Sequence, residues 1–521
     1  MPSGGEGFTG CSVIGENGTC LRVTQVVQLA GNCTLFPQEE HMEMRSRTVS
    51  GNRCLSDIQI RQVDEYALRL METIGCRMSS AEGLDILGRA GCDVSDPGRV
   101  KVPRWLVRDA LAAAPSSIDV YNRDGEPAMA LSEGACYYGT GSDCPTTIDL
   151  DTGERRQSMK EDVARLARFV DALPNMDFAM SFGIANDAPS GTNFVHQYEA
   201  MLLNTRKPVL VTGHGRNDMV TMIEMAAAAV GGMDALRARP PLVLYTEPLS
   251  PLVHTTMGID KGLVCCEYGV PVIYIGSPML GATSPALLEA TLVQAVAEAL
   301  VGLVVFQSKQ PGAKFIFGGD ATVLDMQSGI FSYGAPELNT LNNALADMAH
   351  FYRLPFFCIA GSTDAKTLDA QAGMEYALSL YNATLNGCNL IHDCGYLESG
   401  LTSSFESVLF ADETVSMIRH LLRPLRFDDD SVPLRLMDVV GPGGGYLAEE
   451  HTLNNYRATF WFPRHLDRRR FERWQAAGSK DIRQALNQKA KAILATHVPA
   501  PLAGEVVRRI GELVARHRPD V

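Results

Sequence analysis

The residues best placed for chemistry close a short apolar run, NLIHDCGYLESG at 389–400, where His392 and Asp393 follow Leu390 and Ile391. An imidazole beside a carboxylate at the end of such a run costs desolvation free energy unless both are hydrogen-bonded, which favours a site over filler. A satisfied structural histidine in a turn is the plainer alternative. Other apolar runs end in polar groups in the same way: Thr140 and Asp143, Ser181, Thr212 and His214, Tyr245 and Glu247, Ser277, Asp320, and the turn Ser362, Thr363, Asp364 with Lys366 after it. Of these, Ser181, Ser277 and Asp320 read more simply as caps of the helix to come. Cys388, His392 and Cys394, with Cys358 nearby, invite a zinc reading. Their C-x₃-H-x-C spacing is not that of a structural zinc site, so isolated core thiols are the simpler account and no metal is expected. Aromatic residues gather near the same run ends, among them Tyr137, Tyr138, Tyr245, Phe331, Tyr333 and Tyr396. Aromatic faces hold quaternary ammonium ions by cation–π attraction, although rings near strands are more often core.

The elements that must position these groups are short apolar strands alternating with helices. Strand candidates begin at Ala135 (ACYYGTG), Asp177 (DFAMSFG), Pro208 (PVLVTGHG), Pro241 (PLVLYTE), Pro271 (PVIYIGS), Lys314 (KFIFGGD), Pro355 (PFFCIAGS) and Asn389 (NLIHDCG). Each is apolar throughout, as strands buried on both faces of a parallel sheet are. Helical patterns follow them, for example at 158–173, 285–307, 336–352 and 404–422. Eight such units over about 290 residues fit an α/β fold of the (β/α)₈ TIM-barrel type, whose usual size is roughly 250 residues. A doubly wound sheet is the runner-up, weakened because no GxGxxG follows the first strand. In a barrel the reactive groups stand at the carboxyl ends of the strands, where the polar residues above fall.

Before the barrel, Ser56 caps a helix reaching Ile74 and stopped by Gly75, Ser80 starts a second, and Pro103 precedes a third. SIDVYNR and PAMAL then read as two strands joined through Asp124 and Gly125. The chain divides into a loosely ordered extension (1–55), a helical cap with a small β element (56–134), the barrel (135–423) and an irregular then helical C-terminal extension (424–521). GPGGGY at 441–446 reads as a flexible loop, and Gly318-Gly319-Asp320 lacks the GK[ST] of a P-loop.

Of 521 residues, 46% are hydrophobic and 20% charged, so a globular core is expected rather than disorder. The formal net charge of −14 argues against a nucleic-acid partner, which needs clustered Lys and Arg. An odd count of 13 cysteines, scattered through apolar segments, points to reduced thiols and a cytoplasmic protein. The start is not that of a signal peptide, and the apolar run at 293–306 is too short to span a bilayer. No membrane association is expected.

From about Ser56 to Phe462 the sequence resembles the trimethylamine methyltransferase family, in its branch without pyrrolysine. The resemblance is carried by IQIRQVDEYALRLMETIGCRM, LDILGRAGCDV, YGTGSDCPTTIDLDTGERR, SPMLGATSPALLEATLVQAVAEALVGLVVFQSKQPGAKFIFGG, DMQSGIFSYGAPE, STDAKTLDAQAGMEYAL, IHDCGYLESGLTSSFE and HTLNNYRATFW. It implies a TIM barrel with an N-terminal cap, and methyl transfer from a methylated amine to the cobalt of a corrinoid carried by a separate small protein. A homo-oligomer is the family's implied assembly, and no tightly bound cofactor of its own is implied. Family members that act on trimethylamine carry pyrrolysine, whereas this chain has standard residues throughout. A quaternary ammonium already leaves as a neutral tertiary amine and needs no such electrophile. The HDCGYLESG block resembles the glycine betaine branch, so a quaternary amine, glycine betaine first, is the substrate implied.

On that resemblance, Tyr138, Tyr245 and Tyr333 would offer aromatic faces to the ammonium and Glu247 or Asp393 would add negative charge. His392, protonated, would hold the substrate carboxylate, and the turn Ser362, Thr363, Asp364 would stand where pyrrolysine stands in other members. The enzyme's contribution would be positioning and dehydration of an in-line attack by Co(I). Two other readings stay open: a zinc-dependent corrinoid methyltransferase for another methyl donor, and a non-catalytic betaine-binding protein. The role of His392 is testable by kinetics. His392→Ala should raise KM for a betaine far more than for a cationic amine without a carboxylate, and equal losses on both would remove that role.

Overall fold

Strands and helices alternate from Tyr137 to Leu421 in the computed structural model, which describes residues 53–520 together with an antiparallel pairing of Val13–Ile14 and Cys20–Leu21. Most of the extension expected over 1–55 therefore lies outside the described residues. Seven strands form one parallel sheet: β1 (Tyr137–Tyr138), β3 (Val209–Val211), β4 (Leu242–Thr246), β5 (Val272–Gly276), β6 (Phe315–Gly319), β7 (Phe356–Ile359) and β8 (Leu390–His392). β8 pairs with β1 through Leu390–Tyr137 and Ile391–Tyr138. Residues 178–179 fill the remaining place as β2, with Phe178 bridged to Gly139 and Ala179 to Val209, which closes the barrel. The pairing at β2 is short because side chains take over from the ladder. Asp177 accepts the Tyr138 amide (3.1 Å) and the Arg419 guanidinium (2.9 Å) just before it.

Eight helices follow the strands in turn: α1 (Lys160–Ala172), α2 (Asn193–Asn204), α3 (Arg216–Val230), α4 (Thr256–Tyr268), α5 (Leu288–Lys309), α6 (Pro336–Tyr352), α7 (Ala370–Leu385) and α8 (Phe405–Leu421). Successive residues of a strand face opposite ways. Tyr137, Phe178, Leu210, Val243, Ile273, Ile316, Phe357 and Leu390 fill the barrel interior, while Tyr138, Val211, Leu244, Tyr274, Phe317, Cys358 and Ile391 pack outward beneath the helices. Ten cysteines are free thiols among the described residues.

The three N-terminal helices, Asp57–Thr73, Ala81–Arg89 and Arg104–Ala113, begin where expected, with Ser56 and Gln59 forming a capping box and Ser80 capping the second. They pack on the outside of α5. α5 is longer than the apolar run in its sequence suggests. It is 22 residues long and contains an 18-residue stretch of mean hydropathy 1.8, enough by length and composition to cross a membrane. It is apolar all round because strands lie under it and helices over it. Its buried Glu298 is satisfied by Ser250 Oγ (2.7 Å), the Leu252 amide (2.9 Å) and Gln294 (2.9 Å). The hairpin of Ile118–Tyr121 and Pro127–Leu131 plugs the amino end of the barrel, adding Ile118, Val120, Met129 and Leu131 to the inner core. Asn389 Nδ2, at the start of β8, holds it by donating to the carbonyls of Ser132 (2.7 Å) and Ala135 (2.9 Å). One end of the barrel is thus sealed by apolar side chains.

Residues 424–521, expected as one extension, divide between two units. Residues 463–521 belong with the barrel, where helix Ile482–Thr496 packs on α1 and α8 and helix Gly504–Arg516 on α2 and α3. Residues 423–462 belong to the other unit, with helices Leu434–Val440 and Glu450–Thr459.

One buried charge ties α4 to the top of β3. Lys261 is 7% exposed, and its Nζ donates to the Gly213 carbonyl at 2.8 Å. Burial lowers its pKa to about 8, against the opposing pull of Glu247, Asp143 and Asp218. Between about pH 8 and pH 10 an unfolded lysine keeps a proton that the folded one has released, so this group makes stability rise with pH in that window. Buried thiols such as Cys136 and Cys394, whose pKa values are raised by burial, act in the opposite direction. The informative quantity is therefore the stability difference between wild type and Lys261→Met, from denaturant unfolding. It should shift in favour of wild type by roughly 1–2 kcal/mol from about pH 7.5 to pH 9.5; a pH-independent difference would contradict this.

Candidate active site at the barrel mouth

The carboxyl end of the barrel is lined by a row of polar residues that strand parity makes inevitable. Val243 faces inward, so Tyr245 and Glu247 do too; Ile273 and Ile275 lead to Ser277, Ile316 leads through Gly318 to Asp320, and Leu390 leads to His392. Tyr245 Oη donates to Glu247 Oε2 at 2.9 Å, and Ser277 Oγ donates to the same oxygen at 3.0 Å. Burial, and then Glu247, push the Asp320 pKa well above the usual carboxylate range.

His392 lies flat on Phe357, with ring centroids 4.0 Å apart and planes 15° from parallel, and Tyr245 closes over it at 6.1 Å. Its Nδ1 is 2.6 Å from Asp393 Oδ1, but out of line for a hydrogen bond. Asp393 sits at φ +72° and leans on the β1–α1 loop, where a Cβ on Gly141 would stand 2.0 Å from its Oδ1 and 2.3 Å from the Tyr396 ring. Only glycine fits between these two groups. Tyr396 stacks on Phe182 at 5.5 Å. Tyr333 enters from the β6–α6 loop, its ring 5.4 Å from that of Phe331. Burial, followed by Asp393, Asp320 and Glu247, raises the Tyr333 phenol well above its ordinary pKa, so it stays neutral. The mouth therefore gathers three carboxyl groups, Glu247, Asp320 and Asp393, around the rings of Tyr245 and Tyr333. That arrangement suits a positively charged ligand of low polarity.

The structure brings together Tyr245, Glu247, Tyr333, His392 and Asp393 of the residues singled out from sequence, and separates the others from them. Tyr138 is a correction: parity turns it outward, fully buried, with its Oη 2.7 Å from Thr384 Oγ1 on α7 and the Arg419 guanidinium 5.0 Å over its ring. Thr363 and Asp364 are scaffold. Asp364 accepts from the Tyr333 amide (2.9 Å), from Ser399 Oγ (2.6 Å) and from Ser332 Oγ, while Thr363 Oγ1 bonds Glu375. The Asp364 carboxylate thus holds the loop that delivers Tyr333. Ser362 is buried with its Oγ unpartnered. Cys358 and His392 point to opposite sides of the barrel wall, which breaks up the zinc grouping. Among the described residues no set of three His, Cys, Asp or Glu side chains is placed to hold a metal.

Asp320 and Ser277, expected as helix caps, stand in the same inward row. Neither caps a helix, since α5 starts only at Leu288 and α6 at Pro336. Counting in twos from the apolar residues of each strand finds both.

A model of the family described as trimethylamine methyltransferase matches residues 35–521. The trimethylamine methyltransferase of Desulfitobacterium hafniense is 31% identical, with 88% of this chain and 92% of that protein covered. The glycine betaine methyltransferase of another strain of the same species is 29% identical over 90% of this chain and 97% of its own length. Among solved structures, the monomethylamine methyltransferase of Methanosarcina barkeri aligns with a TM-score of 0.49 at 11% identity, covering 88% of this chain and 92% of that one. The chain belongs to the trimethylamine methyltransferase family.

Proposed function

We propose that this protein is a methyltransferase that takes a methyl group from a quaternary amine, glycine betaine in the first place, and delivers it to the Co(I) corrinoid of a partner protein. The observation that carries this reading is the meeting of Glu247, Asp320 and Asp393 with Tyr245 and Tyr333 at the barrel mouth. A neutral amine would leave those carboxyls without a counter-charge. A permanent cation supplies it and buries its methyl groups against aromatic faces.

The corrinoid, when its carrier docks, supplies a nucleophile for the methyl carbon. The sealed amino end leaves the carboxyl end as the way in, and Glu247 stays exposed there. This chain's part is to hold the ammonium nitrogen against the Tyr245–Glu247 pair, keep water away, and let a methyl group point outward toward the nucleophile. The nitrogen departs as a neutral tertiary amine, so no proton donor is required for the leaving group. His392, fixed between Phe357, Tyr245 and Asp393, is the proposed contact for the betaine carboxylate. The glycine betaine preference rests on the HDCGYLESG block together with the glycine betaine relative. A cytoplasmic location is in keeping with the free thiols.

The reaction is tested by following methylation of Co(I) cobalamin, and of a cognate corrinoid protein, through the visible spectrum. The panel is glycine betaine, other quaternary amines and trimethylamine. Methylation by a quaternary amine with none by trimethylamine is the expected result. Methylation by trimethylamine alone, or by no amine of the panel with the corrinoid protein present, would contradict it.

A further inference from the structure

Asp320 stands out among the mouth residues because it is buried and incompletely satisfied. It is 6% exposed, faces the barrel interior by strand parity, and its Oδ1 has no hydrogen-bond partner. The groups facing it come from every neighbouring element. Glu247 and Tyr245 stand on β4 and its end, Ser277 at the end of β5, Tyr333 on the β6–α6 loop and Asp393 after β8. Lys261 of α4 is turned to the Gly213 carbonyl, and His392 lies beside Asp393. Every charged group with a direct influence on Asp320 is thus another carboxylate. Glu247 is the charged group that acts most strongly on Asp320, and burial with that like charge nearby disfavours ionisation of Asp320. A neutral carboxyl with an unused oxygen, aimed at a site built for a cation, has one evident use.

We propose that Asp320 stands protonated in the ligand-free protein and releases that proton to solvent when a quaternary ammonium binds, so that Asp320 and Glu247 together become its counter-charge. This inference rests on the reading of the mouth as an amine site and adds to it a residue and a linked proton. One O–H bond of Asp320 breaks, the proton passes to buffer, and no bond to nitrogen forms.

The test is calorimetric titration of the full-length protein with tetramethylammonium chloride and, in parallel, glycine betaine. Neither ligand changes charge between about pH 6 and pH 9, so any pH dependence belongs to the protein. Titrations in phosphate and in Tris, whose ionisation heats differ, count the protons released. The expected result is release approaching one proton per site at the acid end and a Kd that tightens by up to about tenfold per pH unit until the effect saturates. Asp320→Asn, which keeps the shape and loses the titration, should bind with little pH dependence and no such release. A wild-type protein that binds with equal heats in both buffers and a pH-independent Kd would overturn the inference and leave the amine site standing. An Asp320→Asn variant that still releases the proton would also overturn it. Failure of both ligands to bind at millimolar concentration would remove the amine-site reading, and the inference with it.

Discussion

Closing eight parallel strands into a barrel turns every second residue inward, and at the carboxyl end of this barrel those residues are acids and aromatics rather than aliphatics. Glu247, Ser277 and Asp320 are consecutive members of that inward row on neighbouring strands, and His392 ends a fourth strand. Gathering carboxyls where burial disfavours charge is costly, and the rest of the structure serves to hold that arrangement. The Ile118–Leu131 hairpin seals the far end with apolar side chains. Asp364 fixes the loop that brings Tyr333 over the site, and Gly141 leaves room for Asp393 and Tyr396 to approach.

The strain of that cluster is relieved in part by hydrogen bonding. Glu247 accepts from Tyr245 and Ser277 at once. Asp320 gains less, and an unpaired oxygen remains. A site left short of positive charge selects a ligand that brings its own. Membership of a methyltransferase family narrows that ligand to a methylated nitrogen, and a quaternary one satisfies the acids without a proton.

Much of this was legible in the sequence. All eight strands fall within the apolar runs that announced them, because strands buried on both faces cannot disguise their composition. Tyr245, Glu247, His392 and Asp393 could be placed at the barrel mouth because they end such runs. Tyr138 was misplaced because position at a run's end says nothing of parity, and one residue's shift carries a side chain from the interior to the helix layer. Asp320 and Ser277 read as helix caps because the lengths of the loops after β5 and β6 are not visible in composition. The reduction of β2 to single bridges was hidden as well, since it depends on Arg419, far along the chain, reaching Asp177.

The central claim, that the barrel mouth binds a quaternary cation through its carboxyls and aromatic faces, is tested most directly by a crystal structure with glycine betaine bound. The account predicts the ammonium nitrogen within about 6 Å of the Tyr245 ring centroid, beside the Glu247 and Asp320 carboxyls and with one methyl group directed out of the barrel. A betaine bound elsewhere on the protein, or lying in the mouth with its carboxylate against Glu247 and Asp320, would contradict it.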